Sequence, residues 1–153
     1  MLIMFLGDSI TDWFRDHSDP ESLGKGYVKY AAEILKGKYP FLEFRNLGVN
    51  GYSTEKVVNL LDDFDDEIKP DIVSIMVGVN DFCDIHKPKD WKPDLEATEK
   101  NYETIFREIK EKYVLKMMIH YEKKSDNTVI DAEIGGGRTI ISNRIYFTHN
   151  DSL

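Results

Sequence analysis

A single cysteine, Cys83, rules out an internal disulfide, so the fold depends on its core and its hydrogen bonds. Positive charge is in deficit: 20 basic side chains face 28 acidic ones, and the formal charge is −8. That balance argues against a general phosphate-backbone binder, which needs a concentrated cationic face, and against docking on anionic lipid. It favours a small-molecule or neutral polymer partner, with no nucleic acid and no membrane involved. Long apolar runs are missing too. None approaches the roughly 20 residues of a membrane helix. The opening Met1-Leu2-Ile3-Met4-Phe5-Leu6 meets Gly7-Asp8 at once, too short and without the basic start of a signal peptide. The expectation is a cytoplasmic protein. Its 153 residues suit one domain with a proper core, and 41% hydrophobic with 31% charged residues exclude disorder or a fibre.

What is present alternates in style. Residues 2–6 form a short continuous apolar run stopped by Gly7, the signature of a strand buried on both faces. Residues 27–36 place Val28, Ala31, Ala32 and Leu35 at helical spacing, and Pro40 closes the segment. A second strand is expected over 42–49, ending at Asn50-Gly51. Ser53 or Thr54 can cap a following helix whose apolar face is Val57, Val58, Leu60 and Leu61, with Glu55 placed well against its dipole. A third buried strand is expected over 72–77. Residues 94–113 give the clearest helix, with a stripe of Leu95, Thr98, Tyr102, Ile105, Phe106, Ile109 and Tyr113. Residues 114–121 suit a fourth strand.

Strands alternating with helices predict an α/β domain with a doubly wound, flavodoxin-like parallel sheet and right-handed crossovers. From about residue 123 the pattern changes. The β-prone runs 128–134 and 139–148, separated by Gly135-Gly136-Gly137, predict a C-terminal hairpin. The expected organisation is an α/β domain over 1–122 and an atypical tail over 123–153 that is no independent domain. In such sheets ligands gather at the carboxyl ends of the strands. Polar clusters fall at three of those ends: Gly7-Asp8-Ser9, Asn50-Gly51 and Gly78-Val79-Asn80-Asp81. A serine just past a buried strand exposes its hydroxyl beside backbone N–H groups, which suits a nucleophile with an oxyanion site. Helix capping is the commoner job of such a serine.

Taken in full, Gly7-Asp8-Ser9-Ile10-Thr11 resembles the first sequence block of the SGNH, or GDSL-type, serine esterases. A chosen five-residue string arises by chance in about 1 in 10⁴ chains of this length. Two further blocks follow in order. Residues 46–54 are similar to the second block, in which Gly51 matches the glycine that donates a backbone N–H to the oxyanion. Gly78-Val79-Asn80-Asp81 is similar to the third, in which Asn80 matches the asparagine that donates a side-chain N–H. The resemblance covers residues 1 to about 113, and the short connections most resemble the compact bacterial acetylesterase and lysophospholipase-like branch. It implies a serine-dependent hydrolase of carboxylic esters, acting through an acyl-enzyme on Ser9, with Ser9, Gly51 and Asn80 as site residues. It implies no metal and no cofactor. The implied substrate is a small-molecule or carbohydrate ester with a small acyl group such as acetyl.

The fourth block of that family, Asp-x-x-His, has no counterpart here. The residue three before His17 is Phe14; before His86, Cys83; before His120, Met117; before His149, Tyr146. The family also continues for another βα unit beyond 114–121, so the resemblance implies a truncated version of the fold. His120, near the end of an expected strand, is the best substitute base, yet none of the four is assigned. The alternatives that stay open are a catalytically silent binding domain, a truncated product without the catalytic pair, and a homo-oligomer formed through the tail hairpin in which a partner supplies the base. The acidic run from Asp62 to Glu67 lacks the spacing of a calcium loop, and Gly135-Gly136-Gly137-Arg138 lacks the ending of a phosphate loop. Trp13, four residues after Ser9, is a candidate lining of the acyl pocket; Trp91 suits loop packing.

Overall fold

The apolar runs and helical stripes assemble, in the computed structural model, into one sheet whose first three strands are packed on both faces. The structure describes residues 1–62, 68–83, 87–112, 117–124, 127–133 and 143–148, with side chains described as far as residue 111. Strands β1 (Leu2–Gly7), β2 (Glu43–Gly48), β3 (Ile72–Met76) and β4 (Met117–Lys124) are parallel; β5 (Asn127–Glu133) and β6 (Asn143–Thr148) continue the sheet antiparallel. The spatial order is β2-β1-β3-β4-β5-β6. Its parallel part is the flavodoxin-like order, in which the chain reverses direction across the sheet between β1 and β3.

Strand β1 is apolar throughout because helices cover both of its faces. Ile3 and Phe5 pack with Leu42, Phe44 and the Val28 and Ala32 of α2 (Tyr27–Lys38). Met4 and Leu6 point the other way, to Val57 and Leu61 of α3 (Thr54–Asp62) and to Ile105 and Ile109 of α5 (Leu95–Lys112). Two short helices, α1 (Ser9–Asp12) and α4 (Val79–Phe82), follow β1 and β3 directly. Among the described residues no helix is long and apolar enough to cross a membrane.

The expected elements are present, with shifted edges. The second strand spans Glu43–Gly48, because Val49 leaves the sheet: its N–H goes to Gly7 O at 3.0 Å, starting a turn. Asp94 caps α5, accepting the Ala97 N–H at 2.9 Å. Leu95, counted in the apolar stripe, is instead 65% exposed, since the first turn extends past the core. The fourth strand lies a few residues later than expected. The expected hairpin is β5 and β6, paired from Asn127↔Thr148 to Ala132↔Asn143; Gly135, Gly136 and Gly137 lie outside the described residues.

Candidate active site at the carboxyl ends of the strands

Gly7 ends β1 and Ser9 begins α1, so the serine stands at the carboxyl edge of the sheet beside the β1/β3 switch point. The cap of α1 is Asp8, not Ser9: Asp8 Oδ1 accepts the Ile10 N–H at 2.9 Å. Ser9 is therefore spared the capping role that its position allowed. Its hydroxyl is half-buried and takes no hydrogen bond from the described residues. Close packing seats α1: an alanine Cβ at Gly48 would fall 2.3 Å from the Asp12 backbone nitrogen and 2.6 Å from the Thr11 carbonyl carbon. Asn46, 1% exposed, supports the same helix from below. Its carboxamide donates to Thr11 O and Leu23 O at 2.8 and 2.9 Å and accepts the Gly48 N–H at 2.9 Å.

Gly51 sits in a turn closed by the Tyr52 N–H on Val49 O at 3.2 Å, with φ +75° at Gly51. A positive φ at the third position makes this a type II turn, whose central peptide is flipped relative to type I. Glycine there fixes which way the Gly51 N–H faces. The turn is tied to its surroundings almost residue by residue. Asn50 N–H donates to Asp12 Oδ2 at 2.9 Å, and Lys56 Nζ donates to Gly51 O at 3.3 Å. Asn80 Nδ2 donates to Tyr52 O at 2.8 Å, while Asp81 accepts from Thr54 N–H at 3.0 Å and from the Thr54 hydroxyl at 2.5 Å. Asn101 of α5 donates in turn to Thr54 Oγ1 at 3.1 Å. Asp81 thus adds a cap to α3 from another part of the chain, beside the expected one from Ser53, whose Oγ accepts the Lys56 N–H at 3.5 Å.

The three sequence blocks therefore meet in space: Asp12 of α1 binds the residue before Gly51, and Asn80 binds the residue after it. Of the two N–H groups on the Asn80 carboxamide, Tyr52 takes one, which orients the group and leaves the other. Tyr102, whose hydroxyl donates to Val77 O at 2.5 Å, fills the space beside Gly78, where φ is +123°. The sequence reading missed Asp12, Asn46 and Asp81. A carboxylate or carboxamide inside an otherwise tight block was the available signal, and only their hydrogen bonds to distant segments reveal the use.

The histidines divide. His17 Nε2 lies 3.0 Å from Asp12 Oδ2, and its Nδ1 lies 2.9 Å from Arg15 Nη2. The guanidinium is donor-only, so Nδ1 accepts and Nε2–H donates to the carboxylate. Both ring nitrogens are engaged, and His17 offers Ser9 no free acceptor in this arrangement. His120 lies in β4, paired with Ile75 and Asp131; His86 and His149 lie outside the described residues. Trp13 and Phe14 have positive φ, 28° and 61°, and are exposed. The Trp13 Cβ packs at Gly26, at the start of α2.

Burial pushes the Asp8 carboxyl above its ordinary range, more than the Ile10 and Asp8 backbone N–H groups lower it, and neighbouring Asp81 adds to the rise. A raised folded value means that its stability contribution is present below the unfolded pKa and is lost as pH rises through the folded one. Asn at position 8 keeps an oxygen for the Ile10 N–H and carries no charge. Asp8→Asn is therefore expected to melt a few degrees above the parent chain at pH 7. The advantage should vanish below about pH 4, where an ordinary carboxylate is protonated. Thermal melts at the two pH values check this.

A serine on a short helix at a switch point, flanked by a glycine turn and a tethered carboxamide, makes this an α/β protein with one polar site across three strand ends. The chain belongs to the GDSL-like lipase/acylhydrolase family, which it matches over residues 5–140. An acetylxylan esterase from Geobacillus stearothermophilus is 39% identical over 85 residues, which is 52% of this chain and 39% of that protein. The solved structure of Axe2, an acetylxylan esterase from the same organism, has a TM-score of 0.64 at 29% identity, over 74% of this chain and 57% of Axe2. Structures described as catalytic mutants of Axe2 carry alanine in place of a serine, an aspartate or a histidine. The chain thus spans about two fifths to three fifths of the length of these relatives.

Proposed function

We propose that this chain cleaves a carboxylic ester through an acyl-enzyme on Ser9. The observation that carries the reading is the placement of Ser9, whose hydroxyl has no partner among the described residues, at the switch point, tied through Asp12 to the Gly51 turn and from that turn to Asn80. Ser9 Oγ attacks the ester carbonyl, and the resulting tetrahedral oxyanion accepts from the Ser9 N–H, the Gly51 N–H and the second Asn80 N–H. Collapse breaks the bond to the alcohol oxygen, which leaves with a proton, and water then releases the acid from Ser9. Each such donor is worth about 3 kcal/mol of barrier, because it is fixed before the charge develops. An acetyl ester of a carbohydrate is the substrate class we favour. It is the substrate named for the related acetylxylan esterases.

The proton acceptor is not assigned to any residue of this chain. Probes with a good leaving group, which need little help from an acid or base, are therefore the appropriate ones. A fluorophosphonate should add one mass adduct to the folded protein, mapped by peptide sequencing to Ser9 and absent after heat unfolding. No adduct on folded protein would overturn the proposal. The engagement of both His17 ring nitrogens supports a second reading, a silent domain that binds carbohydrate esters. It requires binding without turnover of p-nitrophenyl acetate.

A further inference from the structure

The Asp12 carboxylate joins three pieces of chain: the end of α1, the loop through Arg15 and His17, and the turn at Asn50. It is 6% exposed and belongs to the last turn of α1, three residues after Ser9. Oδ1 accepts the Arg15 N–H at 3.0 Å; Oδ2 accepts the Asn50 N–H at 2.9 Å and faces His17 Nε2 at 3.0 Å. Arg15 in turn donates from Nε to Gly48 O at 3.2 Å, locking the same loop onto the end of β2. Asp12 thereby ties the helix that presents Ser9 directly to the turn that presents Gly51, beside the Arg15 bond to Gly48 O and the Val49 N–H bond to Gly7 O.

We infer that Asp12 is a positioning residue that sets the Gly51 N–H against Ser9. The inference rests on the esterase reading above. The physical reason lies in the turn: its central peptide can flip between type I and type II, and the flip would turn the Gly51 N–H to the opposite face. Asp12 holds the leading edge of that peptide, at Asn50, while Asn80 holds the trailing edge, at Tyr52. Asparagine cannot replace Asp12 faithfully. Both carboxylate oxygens face backbone N–H donors, so either orientation of an amide sets its NH₂ against one of them. Burial opposes ionisation of Asp12, but the bonds from His17, Asn50 and Arg15 outweigh it and hold the carboxyl below its ordinary range. The full acceptor pair is thus present at neutral pH.

The test compares Ser9 labelling by a fluorophosphonate, and hydrolysis of p-nitrophenyl acetate, in the full chain and in Asp12→Ala. A displacement of about an ångström at a reacting centre costs up to about a hundredfold. Labelling and kcat are expected to fall ten- to a hundredfold with KM within about twofold, in a variant whose circular dichroism matches the parent. In a ¹⁵N-labelled phosphonate adduct, the Gly51 amide resonance should shift in the parent protein and not in Asp12→Ala. Should Asp12→Ala not fold, Asp12→Asn keeps the side-chain volume and one acceptor oxygen, sets its NH₂ against the Asn50 or the Arg15 N–H, and should produce a smaller loss of the same kind. Parent-like labelling and an unchanged Gly51 shift in a folded variant would overturn the inference and leave the esterase reading intact. A parent protein that takes no label would remove the esterase reading itself, and the inference with it.

Discussion

Ser9→Ala is expected to lower the hydrolysis of p-nitrophenyl acetate at least a thousandfold and to leave the melting temperature within about 1 °C of the parent. The two halves of this expectation have separate causes. Removal of a nucleophile leaves only what the oxyanion donors and substrate binding supply, and in serine hydrolases that remnant is about 10³–10⁴ over water while the intact constellation gives far more. Stability should hold because the hydroxyl has no partner among the described residues and the helix is capped by Asp8. Alanine is also the best helix former. A steady-state assay beside a thermal melt reads both. Equal rates for the two proteins would reduce the site to a scaffold, and the silent-domain reading would take its place.

Gly48→Ala should be strongly destabilising for the addition of a single methyl. Its Cβ would meet the Asp12 nitrogen at 2.3 Å, the Thr11 carbonyl carbon at 2.6 Å and the Thr11 Cβ at 2.8 Å. Two of these three atoms are backbone, so no side chain can swing aside, and α1 must lift from β2. Overpacking of this kind costs about 1–3 kcal/mol, occasionally more, and the upper end is expected here because Arg15 and Asp12 would be pulled from Gly48 O and Asn50. A fall of about 10 °C in melting temperature follows at this chain length. Gly37→Ala is the control. That glycine lies in α2 with nothing within 4 Å of the added Cβ, so alanine should stabilise by roughly 0.4–1 kcal/mol through the unfolded chain. Chemical denaturation of both variants gives the contrast; equal effects would refute the packing argument.

The sequence by itself determined the elements and their sidedness. The unbroken apolar run at 2–6, and the one at 72–77 interrupted only by Ser74, are too short and too apolar for an amphipathic helix and suit strands with both faces covered, while the stripe through Ile105 and Ile109 suits a helix on such a face. It also marked the strand ends where polar residues collect, since chain reversal at a parallel sheet puts them there whatever their job. The edges were less legible. Val49 reads as strand by composition, and only its bond to Gly7 O takes it out of β2; Leu95 reads as core, and only the position of α5 leaves it exposed.

Tertiary structure alone decided which polar residues work together. Asp12, Asn46 and Asp81 look interchangeable with surface residues until the fold sets the buried Asp12 and Asn46, and the half-buried Asp81, against backbone groups of other segments. The Asp12–His17 pair, five residues apart, fits no family spacing, and only the placement of Arg15 shows its imidazole to be occupied. Local sequence fixes periodicity because side-chain direction repeats along a helix or strand; partnership between Asp12 and Asn50 spans 38 residues and exists only once β1 and β2 lie side by side.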